Sequence, residues 1–253
     1  MLERLPAAGI ALSTLAAETL GDAHGIDPGT PVSTLVRRAI LCLNDEADDD
    51  GFPDETDTWA GAGVLVGGGI TSQALVLNLP AANHGATARV LRTLAADGEP
   101  AYLTLRQLLR SRPSWDVVGK DVFICENPAV VAEAANQIGS ACRPLICTQG
   151  QPSAAVATLL RQLGRARATL HYHGDFDWPG IRIAGGLIRR FGTLPWRFST
   201  LDYLAAPDTA KALSGRPAET SWDTGLEEAM RERDQAVEEE IVLATLLDDL
   251  RSA

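Results

Sequence analysis

From Trp115 to Phe198 the apolar positions fall in short runs that alternate with longer stretches of helical period. Val117 to Cys125, Pro144 to Thr148, Thr169 to Gly174 and Leu194 to Phe198 read as strands, because their apolar runs are brief and bounded by polar or turn residues. Between them Pro128 to Ile138, the stretch from Ser153 to Leu163 and the run from Pro179 to Phe191 read as helices. The first of these has a plain start signal: Asn127 can cap and Pro128 takes the first helical position, where its missing N–H costs nothing. Consecutive strand–helix units predict an α/β fold with a parallel sheet flanked by helices and right-handed crossovers. In such a sheet ligands bind beyond the carboxyl ends of the strands.

The N-terminal pattern differs. Leu2 to Leu43 reads as two helices, the first ending near Gly21 and the second running from Pro31, with Asp27-Pro28-Gly29 in the turn between them. Asn44 to Asp57 has no period and reads as an acidic connection. Gly63 to Val66 and Ala74 to Leu79 read as a β-hairpin, and Ala86 to Ala96 as a helix. Tyr102 to Leu109 fits either a strand or a helix, and Pro113 ends it. The expected division is therefore a smaller α+β region, residues 1–113, and a sheet domain, residues 114–253, whose tail from Asp223 to Leu250 reads as one long acidic helical stretch.

Composition adds limits. The chain has 253 residues, 45% hydrophobic and 22% charged, as in ordinary globular proteins. No apolar run approaches the roughly 18 residues of a membrane span, and the N-terminus has no signal-peptide core, so no membrane and a cytoplasmic location are expected. Cys42, Cys125, Cys142 and Cys147 lie in or beside apolar runs without C-x-x-C spacing, and read as buried free thiols. A net charge of −11 argues against indiscriminate nucleic-acid binding through bulk charge. Locally the sign reverses. From Arg161 to Arg197 there are seven arginines against two acids, Asp175 and Asp177, which suits a phosphate-rich substrate.

Those two acids, in HGDFDWPG, stand where the third strand ends and a helix begins at Pro179. Glu126 stands at the end of the first strand. A run of Val122, Phe123, Ile124 and Cys125 gains nothing structural from a terminal carboxylate, whereas a hard cation such as Mg²⁺ or Mn²⁺ takes one or two carboxylates plus water and phosphate oxygens. Helix capping explains one of the aspartates but not both. Gly150 and Ser153 are candidates to cradle a phosphate at a helix N-terminus, although a strand-to-helix turn explains them equally. His173 is a candidate substrate contact, while His171 reads as a satisfied strand residue. Gly180 permits either close phosphate approach or a tight turn into the helix, and Arg182, Arg189 and Arg190 are candidate DNA-backbone contacts. Asp202 fits a capping box with Ser199, and Glu239 and Glu240 read by default as a solvated helix face.

A glutamate at one strand end and D-x-D at the third resembles a TOPRIM domain, the metal-binding fold of topoisomerases, primases and several nucleases. Asp175-Phe-Asp177-Trp-Pro-Gly180 is similar to the turn of the topoisomerase VI A subunit and its meiotic double-strand-break relatives. The fuller wording resembles one family more closely: VFICENPAVV from Val122, TQGQPSAA from Thr148, HGDFDWPGIRIA from His173, WDTGLEEA from Trp222 and, upstream, LGDAHGIDPGTPVSTLV. That family is the TOPRIM nuclease subunit of Wadjet plasmid-defence systems. Its members carry a further N-terminal region not found in this sequence, so a short relative or a piece of one is expected. The resemblance implies a Mg²⁺-dependent (or Mn²⁺-dependent) endonuclease acting on double-stranded DNA beside an SMC-like ATPase and its partner subunits, and allows a homodimer. Glu126, Asp175 and Asp177 would be its metal ligands and catalytic groups.

The topoisomerase relatives use a tyrosine nucleophile on a separate winged-helix module, which is not seen here. Tyr102, Tyr172 and Tyr203 read as packing residues, so attack by water is expected. Two other readings compete: a TOPRIM module that grips DNA or regulates without cutting, and a D-x-D nucleotide-sugar transferase, which would leave Glu126 idle.

Overall fold

The structure, a computed structural model, describes residues 1–43, 55–82 and 84–251. It divides into two compact units, a smaller one of Met1–Ala74, Leu103–Pro113 and Ser153–Leu159, and a larger one of Leu75–Tyr102, Ser114–Pro152 and Leu160–Ala253.

The smaller unit contains β1 (Ile10–Ala11), α1 (Leu12–Leu20), α2 (Pro31–Leu43), α3 (Glu55–Gly61) and β2 (Val64–Leu65). Its core gathers Leu15, Ala16, Ile26, Ile40, Trp59 and Val64. Helix α1 stops at Gly21, which adopts the left-handed conformation that ends many helices. The expected hairpin does not form. Val64–Leu65 pairs in parallel with Ile10–Ala11, while β3 (Gln73–Leu77) runs antiparallel to a strand of the main sheet. The reason lies between them: Gly67, Gly68 and Gly69 all have positive φ, carrying the chain through an irregular glycine turn instead of a two-strand reversal. Glu55–Asp57, expected in the acidic loop, begins α3, and the rest of that loop lies outside the described residues.

After β3 come α4 (Ala86–Asp97), β4 (Ala101–Thr104) and α5 (Leu105–Arg110). The ambiguous Tyr102 to Leu109 stretch is therefore both: a strand handed to a helix at Thr104, whose capping box with Gln107 marks the change. The larger unit then alternates β5 (Asp121–Cys125), α6 (Pro128–Gln137), β6 (Leu145–Cys147), α7 (Ala154–Arg165), β7 (Thr169–Tyr172), α8 (Trp178–Phe191) and β8 (Leu194–Pro195). The six-stranded sheet has the order β4-β3-β6-β5-β7-β8, parallel from β6 to β8. Val122 to Cys125 are all buried, as a strand covered on both faces requires. One layer of the core packs Phe123, Leu145, Val130 and Val131 against Leu246, Leu247 and Leu250.

The tail is not one helix. It breaks into α10 (Leu226–Arg233) and α11 (Leu243–Leu250), after a short α9 (Thr200–Ala205). Asp234 takes a left-handed conformation that ends α10, and the next residues run extended. There Val237 exchanges backbone hydrogen bonds with Phe176 at 2.9 and 3.3 Å. A continuous helix would leave Phe176 N–H and C=O without those partners. Cys125, Cys142 and Cys147 are buried free thiols, whereas Cys42 is exposed, contrary to expectation. No helix among the described residues is long and apolar enough to cross a membrane.

Candidate active site

The carboxyl ends of β5 and β7, adjacent in the sheet, bring Glu126 to the Asp175–Asp177 turn. Glu126 Oε2 accepts from the Tyr172 hydroxyl at 3.3 Å and lies 3.4 Å from the Asp175 backbone nitrogen. Gly174 makes this possible. A side chain there would sit 2.8 Å from Glu126 Oε2 and 2.5 Å from the Tyr172 hydroxyl oxygen. Asp177 caps α8 through Oδ1, which accepts from Gly180 N–H at 2.7 Å. Gly180 is needed for a tight turn, since a Cβ would meet the Asp175 carbonyl oxygen at 2.1 Å.

The extended segment of the tail crosses this place and adds a fourth carboxylate. Glu239 N–H donates to Asp175 Oδ1 at 2.9 Å. Its own carboxyl accepts from the backbone N–H of Glu126 at 3.1 Å and of Asn127 at 2.5 Å. Glu239 is wholly buried, not the solvated residue that its sequence context suggests, because the 3₁₀ turn Glu239–Ile241 replaces the helix expected there. Glu240 stays outside, holding the Asn127 amide at 2.6 Å.

Electrostatically the acids crowd one another. Burial, with the charges of Asp175 and Asp177, pushes Glu126 up to about 7. Burial, with Asp177, Glu240 and Glu238 adding to it and a hydrogen bond from the Glu239 backbone opposing, raises Asp175 to about 6. Burial raises Glu239 well above the ordinary range, Asp175 and Glu126 adding to the effect. Hydrogen bonds leave Glu126 Oε1, Asp175 Oδ2 and Asp177 Oδ2 without partners among the described residues. Among those residues no group of three His, Cys, Asp or Glu side chains is gathered tightly enough to hold a metal ion by itself. What exists is a partly buried acidic turn whose unpartnered oxygens are the donor type that a hydrated hard cation, completing its shell with water and phosphate, accepts.

The remaining candidates lie elsewhere. His173 is buried in an aromatic layer with Phe176, Trp196 and Phe198. Its Nδ1 lies 2.9 Å from the Trp196 carbonyl oxygen, and burial pushes its pKa down to about 4, so the ring is neutral and packs under the turn. His171 lies 2.9 Å from Asp121 Oδ1 at the other end of the strand. Ser153 Oγ donates to the Gln73 carbonyl at 2.9 Å, and Gly150 occupies the β6–α7 turn with positive φ. Arg182 donates to the Arg216 carbonyl at 2.7 Å, and Arg190 lies 5.1 Å from the centre of the Phe191 ring. Asp202 closes the capping box of α9 with Ser199.

Lys211 was not singled out by its sequence. Its ammonium pairs with Glu238 and feels the charges of Asp175 and Asp177, which raise its pKa after that pairing. The only hint available was that the chain has just two lysines, Lys120 and Lys211.

Fold and site together define an α/β protein with an acidic turn at the carboxyl edge of a mostly parallel sheet. Residues 101–250 match the family described as "Protein of unknown function C-terminus (DUF2399)", and residues 1–81 match "Protein of unknown function N-terminus (DUF3323)". The first match covers more than half of the chain, which belongs to the DUF2399 family. No curated protein matches it.

Proposed function

We propose that this chain is a divalent-metal-dependent DNA endonuclease subunit that hydrolyses phosphodiester bonds at the Glu126–Asp175–Asp177 turn. The observation that carries this reading is the position of Glu126 at the end of β5, its carboxyl turned to the Asp175 backbone and pushed up to about 7 by burial and then by two neighbouring aspartates. Charge left uncompensated there is strained unless a cation arrives. Asp175 and Asp177, through the oxygens that their hydrogen bonds leave unpartnered among the described residues, would hold Mg²⁺ or Mn²⁺, with Glu126 able to join them. Bound there, the ion would supply Lewis acidity towards the phosphate.

The chain's own groups do the rest. A carboxyl poised near neutral pH can take the proton of an attacking water, and the Tyr172 hydroxyl holds Glu126 in position for that. Water oxygen bonds to phosphorus, the bond to the leaving ribose oxygen breaks, and that oxygen takes up a proton. The Lys211 ammonium is placed to attract the phosphate diester despite the acids around it. By resemblance, the double-stranded DNA target is plasmid, and the partners are the SMC-like ATPase complex of a Wadjet-type defence system.

A second reading has one observation in its favour. The described residues do not form a closed metal-holding group, as a module that grips DNA without cutting would have no need to. Circular plasmid incubated with Mg²⁺ or Mn²⁺, with and without the partner subunits, decides between them. Nicking or linearisation by wild type that is lost in Glu126→Gln and Asp175→Asn supports the nuclease. DNA retention without cleavage under every condition supports the gripping module.

A further inference from the structure

The smaller unit, taken by itself, holds a cavity of about 500 Å³. Arg4, Arg106, Arg110 and Thr14 line it together with the backbone of Gly9 and Gly68, and none of its lining residues is an Asp or Glu. In a chain of net charge −11 that is an unusual concentration of positive charge. Arg4 is neutralised by Glu18 at 2.5 Å. Arg106 and Arg110 have no ion pair or hydrogen bond among the described residues. They stand four residues apart on α5, hence on one face, where two like charges repel unless an anion lies between them. Arg110 is also fixed in place: a side chain at Gly9 would meet its Cγ at 2.3 Å, so the aliphatic stem lies directly on the glycine. Another part of the lining adds polarity of the same sign. Ala11 and Thr14 belong to the start of α1, which has no side-chain cap and no acid in its first turn.

We infer that this cavity binds a phosphoryl group. Two guanidinium forks converging on one space match a tetrahedral oxyanion with several acceptor oxygens better than a single flat carboxylate, and a hydroxyl beside them can complete its shell. The phosphoryl group belongs either to a DNA backbone or to a free nucleotide, and the chemistry of recognition is shared. This site is independent of the acidic turn, and neither assignment needs the other.

The test is binding of inorganic pyrophosphate, of ADP and of a short fluorescent DNA duplex to the full chain, by calorimetry and anisotropy. Wild type is compared with Arg106→Ala/Arg110→Ala and with Arg106→Lys/Arg110→Lys. Wild type is expected to bind at least one probe, and the double alanine variant to bind it at least about tenfold more weakly. The double lysine variant, which keeps the charge but loses the forks, is expected to fall between them. Binding is read in chelator, where no metal-dependent cleavage runs, so a failed nuclease reading leaves this result standing. Binding of duplex with a salt dependence shallower by about two in the double alanine variant assigns the DNA backbone as source. Binding of ADP and pyrophosphate but not duplex assigns a free nucleotide. Both arginine side chains are exposed, so unchanged melting curves are expected for both variants. The inference is overturned if wild type binds none of the three probes, or if both double variants bind as tightly as wild type.

Discussion

Strand β5 carries a carboxylate at each end, and the fold treats them in opposite ways. Asp121, where the strand begins, is exposed and has basic side chains around it: His171 Nε2 lies 2.9 Å from one oxygen and Arg143 4.0 Å from the other. The same two side chains flank the Phe123 ring, His171 stacked at 5.2 Å and Arg143 at 5.7 Å. Glu126, where the strand ends, has no cationic partner among the described residues and faces Asp175, Asp177 and buried Glu239. One end is neutralised within the chain and gains little from it. The other is left negative at a cost in stability, and such a cost persists where something outside the chain supplies the missing charge.

The comparison breaks most visibly in catalysis. Glu126→Gln and Asp175→Asn are expected to lower metal-dependent plasmid cleavage by on the order of 10²–10³, in the presence of whatever partners cleavage needs, while Asp121→Asn leaves it unchanged. A gel assay of supercoiled, nicked and linear plasmid reads all three. Equal cleavage by wild type and the Glu126 variant removes the functional distinction between the two ends.

The second expectation is thermodynamic and sharpens the same contrast. Glu126 is held at about 7 in the folded chain against 4.5 for an ordinary glutamate. Its folded form therefore binds more protons than the unfolded chain between those values, and stability falls as pH rises through that window. The full penalty is present above about pH 7 and absent below about pH 4.5, and amounts to about 3 kcal/mol at most. His173 works in the other direction. With its pKa pushed down to about 4, it adds stability that grows as pH rises from about 4 towards the ordinary histidine value. The clean observable is thus the difference between wild type and Glu126→Gln, measured by chemical denaturation in chelator. The variant is expected to be the more stable at pH 8 and to lose that advantage at pH 5, and Mg²⁺ is expected to stabilise wild type selectively at pH 8. A difference that does not change with pH contradicts the crowding argument.

Glu239 tests the tail's part. Replacing it by alanine leaves the buried N–H groups of Glu126 and Asn127 without their acceptor, an expected loss of about 2 kcal/mol in urea unfolding. Glu239→Gln keeps an acceptor oxygen and is expected to lose less than half as much. Equal losses in the two variants would show that the carboxyl's role there is not hydrogen bonding.

Much of this was legible along the chain because it is encoded locally. Asn127-Pro128 announced α6, Gly21 and Gly192 ended their helices, and the alternation of short apolar runs with helical ones gave a mostly parallel sheet. Glu126 and Asp175 could be placed on one edge because strand ends in parallel sheets share it. What stayed hidden depended on partners distant in sequence. Val64–Leu65 looked like half of a hairpin until Ile10–Ala11 took it, and nothing local said so. The acidic run around Glu239 has the composition of a solvated helix, and only the pairing of Val237 with Phe176 breaks that helix and turns Glu239 inward. His173 had the residue type of a substrate contact but lies at a position that the sheet buries under Phe176 and Phe198.

The smallest expected effect falls at the neutralised end of β5. Asp121→Ala removes the contacts to His171 and Arg143, yet the Asp121 side chain is 49% exposed, so the lost attraction is one that water and salt already weaken. Exposed pairs of this kind are worth about 0.5 kcal/mol, and His171 keeps its stacking on Phe123 whether or not the aspartate is there. Denaturation of the variant is therefore expected to differ from wild type by less than about 1 kcal/mol at low salt and by nothing measurable at high salt. A loss of several kcal/mol, or a salt-independent one, would mean that Asp121 is coupled into the sheet as tightly as Glu126. The two ends of the strand would then differ in the sign of their neighbours but not in how much the fold depends on them.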